Sequence, residues 1–420
     1  MNIVHLSAID TAGGAALAAH RTHRALMDAG VNSQMVVQDR RSQDPQVHAP
    51  GTALGRILGR YGNVRIERSL NKLYPHRDPA AFHSQWVPTN VVQRVRMLEP
   101  DLVHLHWICN GFVRVEALPR FGAPLVWTLH DMWPLTGGCH YSGDCRGFEA
   151  RCGQCPLLGS HSAWDLSRWV WLRKRRAWSK LNLTLVSPSR WLAAEARRSS
   201  LFRDLRVEII PHGIDLQRYR PMARSAARSA LGLPVTPLLI LFGAVAAAHD
   251  HRKGFDLLQL ALQKLRGTLP PDTRLVVFGS DGPQSHRDLG MKTHYMGTIR
   301  DETTLAQLYA AANVFVLPSR QDNLPNTAVE ALACGTPCVA FDVGGVRELI
   351  APEQTGWLAR PFDTDELARG VVWTVARERE AELAAASRRK AELEFGAPLH
   401  ARRTLELYGS LLSTTKREES

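Results

Sequence analysis

The sequence predicts an α/β protein made of two doubly wound, parallel-sheet domains. Three observations carry this. Short apolar runs of β character recur at 3–6, 34–37, 102–105, 125–129, 183–186 and 207–210, and again at 238–242, 275–278, 314–317 and 338–341. Helical stretches separate most of them, and that alternation makes parallel sheets covered by helices. Ten such runs overfill one modest sheet, and 420 residues supply core for two domains or more.

Composition narrows the class. Hydrophobic content of 45% and charged content of 22% are those of a globular chain. The start, MNIVHLSAID, lacks the basic opening and long apolar run of a signal peptide, and no run reaches 18 apolar residues. A cytoplasmic protein is expected. The net charge of +12 favours an anionic partner, whether nucleotide, nucleic acid or acidic lipid surface, without choosing among them.

The first strand runs into Thr11-Ala12-Gly13-Gly14 and then a helical stretch. Glycines at a strand-to-helix turn let a ligand approach the backbone, although a tight turn alone needs them too. Histidines crowd the next strand ends: His104 and His106 in VHLHW, His130 in WTLHDMW. Ligands of open α/β sheets bind at the carboxyl ends of strands. His130 ends an apolar run there, and Asp131 beside it is suited to orienting it or to capping a helix. A structural histidine is the competing reading, and His106 is the weaker acceptor-site candidate.

Four of the seven cysteines cluster in GGCHYSGDCRGFEARCGQC: Cys139, Cys145, Cys152 and Cys155, spaced by five, six and two residues. A short loop without apolar content is often stapled by a metal, so a structural zinc is one reading. Reduced thiols in an acceptor-facing loop, or redox pairing, are the others. Cys109, Cys334 and Cys338 read as small core residues. The stretch 167–180 carries Arg168, Arg173, Lys174, Arg175, Arg176 and Lys180 without an acid, interleaved with Trp169, Trp171 and Trp178. It suits an anionic membrane surface, or a surface helix whose tryptophans pack inward.

The domain boundary fits 211–237, where PHGIDLQRYRP closes the first unit. After the strand at 238–242, Arg252 and Lys253 can bind phosphate oxygens, unless they belong to a solvated loop. Gly279 ends the strand at 275–278. The segment 318–345, PSRQDNLPNTAVEALACGTPCVAFDVGG, places Asp322 and Glu330 seven residues apart. Pro325 fits the first turn of a helix over roughly 325–334, Asn323 is suited to capping, and Gly335 ends it. That helix N-terminus suits an anion. A solvated surface helix with ordinary acids is the alternative.

The segment 318–345 resembles the donor-sugar motif of the retaining glycosyltransferases of family 4, with the GT-B fold, and DNLPNT resembles the bacterial exopolysaccharide, colanic-acid type. The resemblance implies two facing domains with a cleft between them: 1–211, joined by a returning helix at about 396–416, for the acceptor, and 212–395 for the donor. It implies that Asp322 and Glu330 grip the sugar and ribose with Asn323, Leu324, Asn326 and Thr327 around them. Lys253 and Gly279 match further family positions. The loop at Gly13 and Gly14 borders the donor phosphates, His130 lies between donor and acceptor, and 296–299 holds the base. Two departures stand out. Asp322 replaces the usual glutamate, and Ala244 stands where the family has an arginine, which Arg252 is suited to replace.

The activity implied is transfer of a hexose-type sugar from a UDP- or GDP-sugar to a glycan or polyprenyl-diphosphate-linked acceptor. Transfer proceeds by a front-face route with retention and without a catalytic metal, at the inner face of the cytoplasmic membrane. Two rivals stay open: a GT-B nucleotide-sugar epimerase, which needs no acceptor, and a basic nucleic-acid-binding protein, which would leave the sugar-grip motif unexplained.

Overall fold

The computed structural model describes residues 1–243, 250–279 and 289–418, with side chains through 413. The chain forms two compact units, Met1–Gly213 with His400–Ser420, and Ile214–Leu399. In the first, strands β1 (Asn2–Ile9), β2 (Asn32–Asp39), β3 (Val47–His48), β4 (Leu102–Leu105), β5 (Leu125–Thr128), β6 (Leu183–Ser187) and β7 (Val207–Ile209) make one parallel sheet ordered β3-β2-β1-β4-β5-β6-β7. Its helices are α1 (Gly14–Asp28), α2 (Ala53–Ile57), α3 (Asn63–Ser69), α4 (Val91–Arg96), α5 (Leu166–Trp178) and α6 (Arg190–Arg198).

The second unit repeats the scheme. Strands β8 (Leu239–Gly243), β9 (Arg274–Phe278), β10 (Lys292–Tyr295), β11 (Val314–Leu317), β12 (Cys338–Phe341) and β13 (Gly356–Ala359) are parallel and ordered β10-β9-β8-β11-β12-β13. Its helices are α7 (Arg224–Ala230), α8 (Phe255–Lys264), α9 (Glu302–Ala311), α10 (Asn326–Ala333), α11 (Val346–Leu349), α12 (Thr364–Thr374) and α13 (Glu380–Glu394). In each unit the chain starts at a central strand, winds outward, and restarts on the other side. The order reverses between β1 and β4, and between β8 and β11. Such switch points are where open α/β sheets bind ligands.

Central strands such as LILFG and VFVL are buried on both faces, which explains their unbroken apolar runs. β3, β10 and β13 escaped sequence reading because two residues, the part-exposed KTHY and the glycine-led GWLA make no such run. Helix starts are set by capping acids and hydroxyls: Asp165 for α5, Ser189 for α6, Asp301 for α9 and Asp363 for α12. A cluster of Trp127, Trp133, Trp178 and Phe202 fills the first core, with Trp178 and Phe202 stacked at 5.7 Å.

The last helix, α14 (Ala397–Glu418), is tied to the first unit. His400 Nε2 lies 2.9 Å from Thr22 Oγ1, and Tyr408 OH lies 2.5 Å from His104 Nδ1. The PHGIDLQRYRP segment does not simply close the first unit as expected. From Ile214 onward it belongs to the second, because Ile214 N donates to Phe395 O and Arg388 binds the carbonyls of Leu216 and Tyr219. Among the described residues no helix is long and apolar enough to cross a membrane.

Candidate functional site

In the second unit the loops after β8 and β11 are latched together at the switch point. Asp250 caps a short turn, His251–Lys253, and Gly254 follows at φ 67°. A Cβ at Gly254 would come within 1.9 Å of the Pro318 carbonyl, so only glycine lets the loops touch. Arg320 N donates to Arg252 O at 2.8 Å, and the Arg320 side chain pairs with Asp256 at 2.6 Å. Behind them, a Cβ at Gly344 (φ 54°) would meet Asp322 O at 2.2 Å, and Gly345 N donates to that same oxygen at 3.0 Å. The Gly-Gly turn after β12 therefore fixes the Asp322 backbone.

This latching brings the expected cations and acid into contact. Lys253 Nζ lies 2.6 Å from Asp322 Oδ2, and Arg252 Nη1 lies 3.2 Å from it. Burial alone would raise the Asp322 carboxyl, but Lys253 and Arg252 outweigh it and hold it well below the usual range. Burial lowers the Lys253 ammonium, and Asp322 works against that. Ala244 lies outside the described residues.

α10 is a core helix rather than a solvated surface one: Ala328 through Ala333 are all buried. Glu330 is 2% exposed and its Oε2 accepts from Tyr309 OH at 2.9 Å. Pro325 proves to be the N-cap, with extended ψ of 118°, one residue before the position expected, and its own side chain makes no capping bond. Asn323 stands two residues before that N-cap, and its backbone N donates to Asp322 Oδ1 at 3.1 Å. Leu324 packs in the core, while Asn326 and Thr327 open α10 half-buried. Gly335, at φ 76°, closes the helix as expected. Gly279 ends β9, and its N–H donates to Gly297 O at 2.7 Å, which joins the strand end to 296–299.

The first unit gathers imidazoles at its own switch point. His106 follows β4 and His130 follows β5. His130 Nε2 lies 3.1 Å from His106 Nδ1, and His106 Nε2 lies 3.0 Å from Nδ1 of His5 in β1. The His130 ring stacks on His212, with centroids 5.0 Å apart and planes 16° apart. Burial brings the His130 ring down to about 4, with Asp131 opposing, so it is neutral at pH 7. Burial also pushes His5, His106 and His212 well below their ordinary value. His104 is held between Tyr408 and Thr128 Oγ1, the latter at 2.7 Å. Asp131 takes the capping role: it accepts from Trp133 N at 2.8 Å, Trp107 Nε1 at 3.1 Å and His140 Nδ1 at 2.7 Å. Gly13 (φ 92°) precedes α1 with open space where a Cβ would stand, and Gly14 begins it.

Sequence reading missed His5, His212 and Tyr309. His5 and His212 sit in VHLS and PHGID with no pattern to separate them from core histidines, and Tyr309 lies inside α9 without any signal.

The 167–180 stretch is mainly structural. Trp171 and Trp178 are buried, and Arg173 forks onto Glu116 at 2.6 Å and 2.8 Å. Lys174 is fully buried with its Nζ on the carbonyls of Trp133 and Thr136. Trp169, Leu172, Arg175, Arg176, Ser179 and Lys180 of it stay exposed, so Trp171 and Trp178 follow the inward-packing reading and Trp169 does not. The stronger candidate for a membrane face lies elsewhere. α2, a π-helical turn at Leu58–Gly62 and α3 run on without a break. Leu54, Ile57, Leu58 and Tyr61 are exposed at helical spacing among exposed Arg56, Arg60, Arg65 and Arg68. The one acid of 53–73, Glu67, is buried against Ser84 and Gln85.

Cys139, Cys145, Cys152 and Cys155 line one cavity of about 20 Å³. Burial pushes the Cys139 and Cys155 thiols up and the Cys152 thiol up to about 12, so none of these three is a ready nucleophile.

Known proteins match this arrangement. Residues 12–218 fit the family model described as Glycosyltransferase Family 4, and 236–377 fit that of Glycosyl transferases group 1. The D-inositol 3-phosphate glycosyltransferase of Xylanimonas cellulosilytica is 31% identical over 326 residues, 73% of this chain and 71% of that one. The enzyme of the same name from Nocardiopsis dassonvillei is 28% identical over 95% of this chain and 89% of its own. Among solved structures, sucrose-phosphate synthase from Thermosynechococcus elongatus superposes with a TM-score of 0.71 at 22% identity, covering 98% of this chain and 99% of that one. HepE from Anabaena, crystallised with UDP and glucose, gives 0.66 at 19% identity, covering 98% and 100%. Carrying the GT-B pair of parallel-sheet units and these matches along both of them, the chain is a glycosyltransferase that belongs to family 4.

Proposed function

We propose that this protein transfers a hexose-type sugar from a nucleoside diphosphate donor to a lipid-linked glycan acceptor, with retention of anomeric configuration. The observation that carries the proposal is the latched cluster of Lys253, Arg252 and Asp322 at the β8/β11 end, with Glu330 on the adjoining helix. Lys253 and Arg252 would hold the diphosphate together with the N-terminus of α10, and preformed charges there stabilise the leaving group without reorganisation. Asp322 keeps Lys253 charged in its buried position and, once phosphate oxygens share the ammonium, can accept from a sugar hydroxyl. Glu330 would take the ribose.

In the first unit the neutral His130 acts as a hydrogen-bonding partner to the reacting sugar, with the acceptor entering near His106, Gly13 and Gly14. A uridine donor is supported by the likeness to HepE, whose crystals hold UDP and UDP-glucose. A lipid-linked acceptor is supported by the basic amphipathic stretch 53–73, which suits a protein resting on anionic headgroups. The likeness to WaaG, a glycosyltransferase of lipopolysaccharide biosynthesis, points the same way (TM-score 0.65, 18% identity, covering 96% of this chain and 98% of that one). The relatives that act on inositol phosphate mark the soluble alternative.

The test is nucleotide release from UDP- and GDP-hexoses, with polyprenyl-diphosphate glycans or inositol phosphate as acceptors. Release that depends on the lipid-linked acceptor, giving a product with the donor's anomeric configuration, is expected. Donor interconversion with no acceptor present would replace the proposal with the epimerase reading.

A further inference from the structure

The stretch from Thr136 to Asp165, tied to Asp131 through His140, has no regular structure beyond an antiparallel bridge of Cys139 to Phe82 and two short turns, Gly147–Glu149 and Pro156–Leu158. A connection this long that packs tightly needs something to hold it. It does pack tightly: a Cβ at Gly137 would meet Ser167 O at 2.3 Å, one at Gly138 would meet the Phe82 ring at 2.6 Å, and one at Gly153 would meet Ala163 O at 2.5 Å. At its centre is the cavity of about 20 Å³ that Cys139, Cys145, Cys152 and Cys155 share, room for one water-sized occupant.

We propose that Cys139, Cys145, Cys152 and Cys155 bind one structural zinc ion as a tetrathiolate. The donor set is all sulfur with no water-bearing position, the composition of closed structural zinc sites. Two neighbours fit a thiolate cluster. Gly137 N donates to Cys152 Sγ at 3.1 Å, a contact suited to a metal-bound sulfur. Lys174 is fully buried, with its Nζ on the carbonyls of Trp133 and Thr136 and 3.6 Å over the Trp133 ring, and among the described residues it makes no ion pair with a carboxylate. A zinc tetrathiolate carries two negative charges, and Lys174 lies where it balances them. Among the described residues the side-chain triads already at metal spacing are His5, His104, His106 and His83, Cys109, His140, so the four thiols must draw closer together to close on the ion. Binding takes Zn²⁺ from solution and releases the four thiol protons to solvent.

The site bears on the proposed active centre without belonging to it. His140 follows Cys139 directly and bonds Asp131 at 2.7 Å, the residue next to His130. Zinc would thus fix the floor under His130.

The experiment is elemental analysis of the full-length protein purified without chelator, with the spectrum of protein grown in cobalt. One zinc per chain is expected. The cobalt form should show the intense visible bands and thiolate charge-transfer band of tetrahedral sulfur coordination. Cys145→Ser and Cys152→Ser should each lose the metal, and Cys338→Ser, in β12, should keep it. Wild-type protein that stays metal-free when zinc is supplied during growth and refolding overturns the proposal. So does an intact mass lowered by disulfide formation among these cysteines. Both readouts use the wild-type chain, so they decide the matter even where a serine variant fails to fold.

Discussion

His130 ends a line of three imidazoles, and the line sets which of its nitrogens carries hydrogen. His5 Nε2 is buried without a partner. If it holds the hydrogen, His106 and His130 each donate inward through Nε2, and His130 Nδ1 is unprotonated, an acceptor. If it does not, the hydrogens shift the other way and His130 Nδ1 becomes a donor. The three rings therefore change tautomer together, and none needs a charge, because burial lowers all three. His130→Ala should cut turnover by about 10²–10⁴-fold, the range for a positioned proton partner. Donor affinity, held by the other unit, should change little. Unchanged turnover in a steady-state assay would remove His130 from the site. The sequence placed this histidine at a strand end, where the structure has it, because an apolar run ending in a polar side chain is a local pattern. It could not show His5 or His212, whose role depends on neighbours about a hundred residues away or on ring stacking.

At the scale of elements, the stretch 318–345 was the most legible part of the chain. Its strand, helix, glycine stop and Gly-Gly turn are all signalled locally. The Lys253–Asp322 pair was not visible, since residues 69 apart meet only through the packing of Gly254 on Pro318. The tryptophan-rich helix stayed ambiguous for the opposite reason: composition reports charge and aromaticity but not which side of a helix is covered. The stretch 53–73 instead leaves Leu54, Ile57, Leu58 and Tyr61 outside. Each basic residue near an anionic surface contributes about 1 kcal/mol. The triple variant Arg56→Glu, Arg60→Glu, Arg65→Glu should therefore weaken co-sedimentation with phosphatidylglycerol vesicles more than about a hundred-fold, while Trp169→Ala leaves it near wild type. Equal binding by the triple variant would remove this surface from the account.

At the scale of the whole molecule, the two units respond to acid differently. Burial pushes His5, His83, His104, His106, His130, His212 and His400 down, and all belong to the first unit. In the unfolded chain these rings titrate near about 6.5. Below that pH the unfolded chain takes up protons that the folded unit refuses. Stability is thus fully present above about pH 7 and is lost as pH falls towards 4, by up to about 1.4 kcal/mol per pH unit for each ring. In the second unit Asp322 is likewise held low, so its contribution is also lost as pH falls, but in a lower window, through and below the usual carboxylate range. Most tryptophans lie in the first unit. Urea unfolding followed by tryptophan fluorescence should therefore show a much lower midpoint at about pH 5.5 than at about pH 7.5, and coincident curves would contradict this. The alternation of strands and helices was enough to read two doubly wound units. Edge strands too short, polar or glycine-led to leave an apolar run, such as β3, β10 and β13, were not readable.

On the proposed function, a nucleoside diphosphate sugar sits at the β8/β11 end, held by Lys253. A calorimetric titration of UDP- and GDP-hexoses into wild type and Lys253→Ala tests it most directly. A charge-assisted hydrogen bond is worth about 1.5–3 kcal/mol, so the donor that binds wild type should lose about 10–100-fold in affinity in a variant that remains folded. Donor binding that is equally tight in both proteins, or no binding of any such donor to wild type, would contradict the account.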